Sequence, residues 1–198
     1  MRLILIRHGE TEANSKEVYE GSTGGKLTEK GKAQARKVAL RLRDEKVDVI
    51  YVSDLKRAVD TAKEIIKYHP NAEVIHDPRI REQKEGVLEG TPYGTLTREA
   101  EKRGLPRQEF RPEGGESIND MQLRVENFLK DVIRKETREN LLLVTHGGVI
   151  VGVLLYLLNI PREEYKKLMH DNTAVSIIEL DFKDRHKLIT LNCIKHLL

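Results

Sequence analysis

The chain has 198 residues, with 35 Lys and Arg against 32 Asp and Glu and a formal net charge of +3. This length suits one domain with a sizeable core, and the evenly mixed charge lacks the clustered basic stripe that is typical of nucleic-acid-binding proteins. The one cysteine, Cys193, excludes an internal disulfide and lies among apolar residues, so we predict a small core residue in a reducing, cytoplasmic setting.

The N-terminal part of the chain begins with the apolar run Leu-Ile-Leu-Ile at 3–6, which predicts a buried strand. No small-residue cleavage site accompanies it, so we expect no secretory signal. A helical stripe from Ala35 to Leu42 follows, with Thr28 as its expected cap, and the run 47–52 predicts a second strand. Strands that alternate with helices in this way are typical of a mostly parallel sheet covered on both faces.

The middle of the chain continues this alternation. A stripe from Leu55 to Ile66 predicts a helix, and we expect Ser53 to cap it and Arg57 to lie one turn into it. The run 72–75 is a weaker strand candidate. Residues 86–116 are rich in Gly, Pro and charge, and we interpret them as a lid or insertion in a single domain that spans residues 1–198.

The last part of the chain opens with Ser117, which is placed to cap a helical stripe from Ile118 to Val132. The most apolar segment, 149–158, is far shorter than the roughly 20 residues that a membrane span needs, so we predict a buried helix and no membrane association. Strands are predicted at 141–145 and 174–180, with a weaker candidate at 187–194.

Polar side chains follow the predicted strands at the points where they end. Arg7 and His8 follow the first strand, Arg57 comes soon after the second, Glu82 follows the weak third, and His146 follows the strand at 141–145. In open parallel sheets, ligands bind beyond the carboxyl ends of the strands. The helix starts near Ser53 and Gly147 would add backbone N–H groups and positive dipole ends. This combination predicts a pocket for a dianion.

The predicted residue types suit phosphoryl transfer, in which catalysis is mostly positioning and charge stabilisation. A neutral imidazole can attack phosphorus, and two arginine forks can hold the equatorial oxygens. A carboxylic acid can protonate the leaving oxygen and then deprotonate water. The sequence shows no clustered Asp pair and no P-loop, so we expect neither a metal nor another cofactor.

Several motifs, in order along the chain, resemble the histidine phosphatase superfamily, the phosphoglycerate-mutase-like fold. They are LILIRHGETEAN at 3–14, LTEKGKAQA at 27–35, VSDLKRAVDTA at 52–62, GGES at 114–117 and LLVTHGG at 142–148. The resemblance implies a three-layer α/β/α sandwich with a mostly parallel central sheet and one antiparallel strand. It also implies a phosphatase that acts on a small phosphorylated metabolite, as a monomer or a homodimer.

The resemblance also assigns roles to individual residues. His8 resembles the phosphorylated nucleophile of the family, and Glu82 resembles its general acid. Glu10 would support the phosphate clamp, and Gly9 would let the backbone pass close to the phosphate. The clamp itself would be formed by Arg7, Arg57 and His146, with further substrate contacts from Asn14, Glu20, Gly21 and Gly147.

Some positions leave alternatives open. Glu85 and Glu89 lie close to Glu82 and offer other carboxylates for the role of acid. Glu20 occupies a place where relatives often carry Thr or Gln, so its carboxylate would either repel a second phosphate or bind a sugar hydroxyl. Asn172 either reaches the edge of the site or caps a turn. These departures concern the substrate and not the reaction.

The branch of the family is a further open question. The insertion is shorter than that of the phosphoglycerate mutases, which favours a hydrolase similar to TIGAR-type fructose-bisphosphatases and broad sugar-phosphate phosphatases. A mutase is the alternative, and a catalytically idle phosphate-binding module is a third. Basic residues in the insertion either contact a second anionic group or form an exposed helix face with interleaved glutamates; they are Arg98, Lys102, Arg103, Arg107 and Arg111.

Overall fold

A computed structural model describes residues 1–181 and 185–198, and within these ranges six strands form one mixed sheet. The strands are β1 (Arg2–Arg7), β2 (Val49–Val52), β3 (Glu73–His76), β4 (Asn140–Thr145), β5 (Val175–Glu179) and β6 (Lys187–Cys193). Their order is β3-β2-β4-β1-β5-β6. Strand β5 pairs antiparallel with both β1 and β6, whereas β1, β2, β3 and β4 pair in parallel. The expected mostly parallel sheet with one antiparallel strand is confirmed.

The helices cover both faces of the sheet. They are α1 (Glu12–Ser15), α2 (Glu29–Leu42), α3 (Lys56–Ile66), α4 (Thr95–Lys102), α5 (Ile118–Lys135) and α6 (Gly147–Leu157), with 3₁₀ turns at Pro78–Ile80, Gly86–Leu88, Arg162–Leu168 and Lys195–Leu197. Alternate side chains of β1 separate two cores: Ile4 and Ile6 pack with α2 and α3, and Leu3 and Leu5 pack with α5 and α6. The three-layer α/β/α architecture is therefore confirmed.

Two helix starts follow from the predicted caps. The Thr28 side chain accepts a hydrogen bond from Gly31 N and begins α2, while Ser117 and Asp120 form a capping box at the start of α5. The prediction that Ser53 caps α3 is wrong. That helix begins after Leu55. Ser53 Oγ hydrogen-bonds His146 Nε2 at 2.7 Å and accepts a longer hydrogen bond, 3.4 Å, from Leu55 N.

The segment 86–116 packs on the loop that follows α1. Its backbone joins that loop through Tyr19 N, which donates to Thr91 O at 2.8 Å, and through Gly90 N, which donates to Tyr19 O at 2.7 Å. A small core of its own forms where α4 meets the following loop, around Leu96 and Phe110. The segment is thus tied to the same loop that carries Glu20.

The most apolar helix, α6, is buried along nearly its whole length, as its sequence predicts. No helix in the described ranges is both long enough and apolar enough to cross a membrane. The prediction that Cys193 lies in the core is wrong: it ends the edge strand β6 and is half-buried, because β6 has β5 as its neighbour on one side only.

Candidate active site

His8 lies at the carboxyl end of β1 and is 3% exposed. Its Nδ1 is 2.8 Å from Gly9 O, and since a carbonyl only accepts, Nδ1 carries the ring proton. The Nε2 atom accepts a hydrogen bond from Arg57 Nε at 3.3 Å and therefore holds the lone pair. Burial, reinforced by the charges of Arg57 and Arg7, holds the pKa of His8 well below its usual range. The imidazole is thus neutral, with its nucleophilic nitrogen directed at an arginine.

Arg57 is the second residue of α3 and is 1% exposed. Besides its contact with His8, it donates from Nη1 to Thr23 O at 2.8 Å and from Nη2 to Gly21 O at 2.7 Å. These bonds explain how a buried guanidinium is tolerated in the described structure. They also fasten the loop around Gly21 to the wall of the site.

His146 lies between β4 and α6, at the N-cap position of α6, and its ring centroid lies 5.2 Å from that of His8. Ser53 Oγ holds its Nε2 at 2.7 Å, while Nδ1 is buried and has no hydrogen-bond partner among the described residues. Burial, followed by the charge of Arg57, holds the pKa of His146 well below its usual range. Two neutral imidazoles therefore face each other beside a buried arginine.

Arg7 completes the basic wall at the end of β1. Its Nη1 donates to His170 O at 2.5 Å, and its Nε is buried with no partner in the described part of the chain. A Cβ on Gly147 would lie 3.5 Å from that Nε, so the guanidinium approaches the N-terminus of α6. Donors without partners and a helix N-terminus thus meet at one end of the sheet, which is an arrangement that binds anions.

Glu82 reaches the same helix N-terminus from the loop after β3. Gly148 N donates to its Oε2 at 3.1 Å and Gln83 N donates to its Oε1 at 3.0 Å. A Cβ on Gly148 would lie 2.4 Å from Glu82 Oε1, so only glycine leaves room for the carboxylate here. The charge of Glu82 acts on Arg57, which places the predicted acid close to the basic wall.

The loop of Glu82 is held by an ion pair that the sequence analysis did not single out. Arg124 of α5 donates from Nη2 to Glu116 Oε1 at 2.5 Å and to Glu82 O at 3.1 Å, and from Nη1 to Arg79 O at 2.7 Å. Glu116 Oε1 also accepts from Lys84 N at 3.0 Å. Glu116 belongs to the GGES motif, and that motif was the available signal, although it did not point to Arg124.

Glu20 and Gly21 both contact Arg57. Glu20 Oε2 is 3.3 Å from Arg57 Nε and accepts from Thr11 Oγ1 at 3.0 Å, while Gly21 contributes its carbonyl. Burial raises the pKa of Glu20, although the charge of Arg57 opposes the increase. Gly21 has φ +55°, a left-handed conformation that favours glycine. The Glu20 carboxylate therefore occupies space beside a group that the sequence assigns to phosphate.

Asn172 connects the backbone of His8 with the side chain of Asn14. Asn172 Nδ2 donates to His8 O at 3.0 Å and to Asn14 Oδ1 at 3.1 Å, so Asn172 reaches the edge of the site. Asn14 Nδ2 donates to Tyr93 OH at 3.4 Å. The supporting role expected of Glu10 is wrong, because in the described chain its carboxylate binds Thr28 Oγ1 and Lys30 Nζ at the start of α2.

At Gly9, the close approach that the structure shows is to the backbone of Gly31 in α2. A Cβ at Gly9 would lie 2.5 Å from Gly31 O, and a Cβ at Gly31 would lie 2.1 Å from Glu10 O. The loop after β1 and the start of α2 therefore touch backbone to backbone. This contact fixes the position of the residues that follow His8.

Most basic residues of the segment 86–116 make contacts typical of an exposed helix face. Lys102 and Arg103 pair with Glu99, and Arg111 pairs with Asp120. Arg98 donates to Thr95 Oγ1 at 2.9 Å. Arg107 differs: its Nη1 is buried and has no partner within the ranges described.

Comparison with known proteins agrees with this geometry. A sequence model of the histidine phosphatase superfamily (branch 1) matches residues 3–193. A probable phosphoglycerate mutase from Enterobacter sp. (strain 638) is 34% identical over 183 residues, which covers 90% of this chain and 85% of the relative. Phosphoserine phosphatase 1 from Hydrogenobacter thermophilus is 32% identical over 207 residues, which covers 100% of this chain and 94% of the relative.

A solved structure supports the same assignment. The α-ribazole phosphatase from Shigella flexneri superposes with a TM-score of 0.86 at 29% identity, covering 98% of this chain and 96% of that one. The motifs, the fold and the matched span of 3–193 therefore agree. The chain is an enzyme of the histidine phosphatase superfamily, branch 1.

Proposed function

We propose that the protein hydrolyses phosphate monoesters of small metabolites through a phosphohistidine on His8 and without a metal ion. The observation that carries this proposal is the tautomer of His8: Gly9 O fixes the proton on Nδ1, and Nε2 is left as a neutral nucleophile beside Arg57. Neutral imidazole can form a covalent phosphoryl intermediate. The relatives named as phosphatases support a hydrolase.

In the first step, His8 Nε2 attacks phosphorus as the bond from phosphorus to the ester oxygen breaks. Glu82, in its acid form, gives its proton to the leaving oxygen, and the product alcohol departs. The charge on the equatorial oxygens is stabilised by Arg7, Arg57 and the N-terminus of α6 at Gly147. Such charge stabilisation supplies most of the catalysis of phosphoryl transfer.

In the second step, the Glu82 carboxylate takes a proton from water, whose oxygen attacks phosphorus. The bond from phosphorus to Nε2 breaks, the electron pair returns to His8, and inorganic phosphate leaves. Glu82 is protonated again and ready for the next cycle. The same carboxyl group thus acts as the acid in the first step and as the base in the second step.

The segment 86–116 is proposed to cover the entrance and to contact the part of the substrate beyond the phosphate. Its backbone is bonded to the loop of Tyr19, and that loop continues into Glu20 and Gly21 beside Arg57. Contacts from Asn14, Glu20 and Gly21 would then meet the substrate on this side of the pocket.

The nucleophile is tested by replacing His8 with Ala. The variant is expected to lose turnover and to lose the acid-labile, base-stable label that a phosphate donor leaves on the wild-type protein. His76→Ala is the matched control, because His76 is an exposed histidine at the end of β3. Label on the His8→Ala protein would contradict the assignment, and loss of wild-type activity in a chelator would contradict the metal-free mechanism.

A phosphoglycerate mutase is the second candidate, and the name of the Enterobacter relative favours it. A hydrolase releases inorganic phosphate from 3-phosphoglycerate, whereas a mutase interconverts phosphoglycerates with little release. Measuring both products in one reaction, with a bisphosphoglycerate added as primer, separates the two. Formation of the isomer in excess of free phosphate would favour the mutase.

A further inference from the structure

One buried hydroxyl group joins the backbone of Gly9 to the backbone of Arg57. Thr61 of α3 is fully buried, and its Oγ1 donates to Arg57 O at 2.8 Å. Gly9 N donates to the same oxygen at 3.0 Å and has no other hydrogen-bond partner in the part of the chain that the structure describes. Because a hydroxyl has one proton to donate and lone pairs to accept with, Thr61 satisfies both backbone groups at once.

The same two residues contact the imidazole of His8. Gly9 O is 2.8 Å from His8 Nδ1, and Arg57 Nε donates to His8 Nε2 at 3.3 Å. The hydrogen bonds therefore close a ring that runs from Nδ1 through Gly9, Thr61 and Arg57 and back to Nε2. Thr61 contacts neither ring nitrogen of the nucleophile, but it joins the two residues that do.

The position of Gly9 depends on Thr61 more than on its other neighbour. On the side of α2, Gly9 lies against the backbone of Gly31, where a Cβ would come within 2.5 Å of Gly31 O. That contact is steric, so it limits the approach of Gly9 to α2 but does not hold Gly9 there. The hydrogen bond to Thr61 is attractive and directional, and it restrains a residue whose backbone is otherwise unusually free to rotate.

We propose that Thr61 is a positioning residue for phosphoryl transfer: by holding Gly9, it keeps the ring proton of His8 on Nδ1 and the nucleophilic lone pair on Nε2. This inference rests on the proposed hydrolase activity and adds a residue that acts on the nucleophile through the backbone. Without the hydroxyl, Gly9 N is buried with no acceptor, and a shift of the backbone relieves this costly state. Gly9 O then moves away from Nδ1, and His8 is free to carry its proton on Nε2, where it cannot attack phosphorus.

The test replaces Thr61 with Val, which keeps the shape of the side chain and removes the hydroxyl. The nitrogen-15 chemical shifts of the His8 ring, measured at neutral pH and assigned by their loss in His8→Ala, report which nitrogen carries the proton. The wild type should show a protonated Nδ1 and an unprotonated Nε2. Thr61→Val should show a second population with the proton on Nε2, whereas Thr61→Ser keeps a hydroxyl and should show the wild-type shifts.

The phosphorylation burst gives a second readout. With a sugar phosphate, the burst rate of Thr61→Val is expected to fall by about ten- to a hundredfold, the effect of displacing a reacting group by up to an ångström. The inhibition constant of inorganic phosphate should be unchanged, because the Arg57 guanidinium keeps its bonds to Thr23 O and Gly21 O. Thr61→Ser should recover most of the burst rate.

Thr190→Val is the matched control, because it makes the same change on β6, whose neighbour in the described sheet is β5 alone. Its His8 tautomer, burst rate and inhibition constant should equal those of the wild type. Thr61→Ala replaces Thr61→Val if the latter fails to fold, since it also removes the hydroxyl but places no methyl group against Gly9 N. Its tautomer and burst rate should change in the same direction.

The outcomes separate this inference from the hydrolase proposal. If the wild type hydrolyses no ester and forms no phosphohistidine, the hydrolase proposal fails, and the tautomer measurement still reports whether Thr61 controls His8. If the wild type is active but carries the proton of His8 on Nε2, the role of Thr61 is wrong while the hydrolase proposal stands. A changed tautomer and a slower burst are both required in the variants that lack the hydroxyl. A slower burst with the wild-type tautomer would show that Thr61 is structural, and a changed tautomer with the wild-type burst rate would show that it does not affect the reaction.

Discussion

Glu20 is an acidic side chain in a place where the proposed mechanism needs a phosphate dianion. Its Oε2 lies 3.3 Å from Arg57 Nε, and it is 10% exposed at the side chain. In the described structure it partly neutralises the buried guanidinium. A bound phosphate would compete with this carboxylate for Arg57, and the two like charges would repel each other.

Replacing Glu20 with Gln should therefore tighten phosphate binding. We expect the inhibition constant of inorganic phosphate to fall several-fold at pH 7.5, because a buried negative charge is removed from beside the ligand, a direction that follows from the Coulomb term. Because burial raises the pKa of Glu20, the wild type should approach the variant as the pH falls and the carboxyl takes up its proton. Glu12→Gln, an exposed glutamate of α1, makes the same charge change away from Arg57. Weaker phosphate binding in Glu20→Gln would show that Glu20 supports the clamp instead.

The contribution of Glu82 to the phosphorylation rate is expected to increase with the basicity of the leaving group. An alkyl alcohol leaves poorly without a proton, whereas nitrophenolate leaves readily. Glu82→Gln should slow the phosphorylation burst with a sugar phosphate by roughly 10² to 10⁴, the usual size of general acid catalysis, and slow it much less with an aryl phosphate. The burst is the right measurement because the proposed dephosphorylation step uses Glu82 again, as a base. Equal losses with both esters would assign Glu82 a structural role and make Glu85 the next carboxylate to test.

At the scale of elements, the N-terminus of α6 connects the anion pocket and the proposed acid. Its first residue, Gly147, faces Arg7, and its second, Gly148, binds the Glu82 carboxylate. A helix N-terminus offers N–H groups and a positive dipole end, so it stabilises both a phosphate and a carboxylate. The position of the acid therefore depends on the absence of a side chain at Gly148.

Gly148→Ala should displace Glu82, because its Cβ would lie 2.4 Å from Oε1. We expect turnover of an alkyl phosphate to fall by roughly 10²-fold, the cost of an ångström-scale misplacement of a catalytic group. Gly152→Ala in the same helix is the control. There the nearest atom outside the helix backbone, Val125 Cγ1, is 3.9 Å away, so alanine fits and should stabilise the helix by up to about 1 kcal/mol. Equal activity in both variants, measured at a temperature where both are folded, would contradict the role given to Gly148.

The elements that the sequence predicted are those with a strong periodic pattern. The strands around Leu3 and Leu141, and the helices capped by Thr28 and Ser117, form as expected because their apolar faces and caps lie within a short stretch of chain. The predicted cap of α3 was wrong: the helix begins after Leu55, and the shorter hydrogen bond of Ser53 Oγ is to His146, 93 residues away. Local pattern cannot reveal a hydrogen bond of that separation.

In the candidate site, too, some contacts could be predicted from the sequence and others depend on distant parts of the chain. His8 and His146 could be brought together from sequence, because strand ends of a parallel sheet share one edge. The contacts of Arg124 with the loop of Glu82, and of Arg107 with Gln83, could not, because they depend on how α5 and the segment 86–116 pack against the loop after β3. A basic residue in a charged segment gives no local sign of burial, so Arg107 was not distinguishable from its exposed neighbours.

Over the whole molecule, buried ionisable groups tie stability to pH in opposite directions. His8 and His146 have pKa values held below 6.5, so an unfolded chain takes up protons that the native site refuses, and stability falls as the pH drops below about 6.5. Glu85 has the opposite behaviour, because burial raises its pKa above 4.5. The two histidines therefore lower the stability of the native state as the pH falls, and Glu85 lowers it as the pH rises. Each contribution can be isolated by comparing a variant with the wild type at the same pH.

The variant Glu85→Gln isolates the contribution of Glu85 to the pH dependence of stability. Below pH 4.5 the carboxyl is protonated in both states and contributes no pH dependence, whereas from pH 4.5 to about 8 the unfolded chain ionises it and the native state does not. The wild type should therefore lose stability relative to the variant as the pH rises through this window, by up to about 1.4 kcal/mol for each pH unit, and the difference should level off above the native pKa. Urea unfolding of both proteins at several values between pH 5.5 and pH 9 measures it, since the histidine contributions cancel at each pH. Glu101→Gln, at an exposed position of α4, should show no such trend. A constant difference between wild type and Glu85→Gln across this range would mean that Glu85 is ionised in the native state.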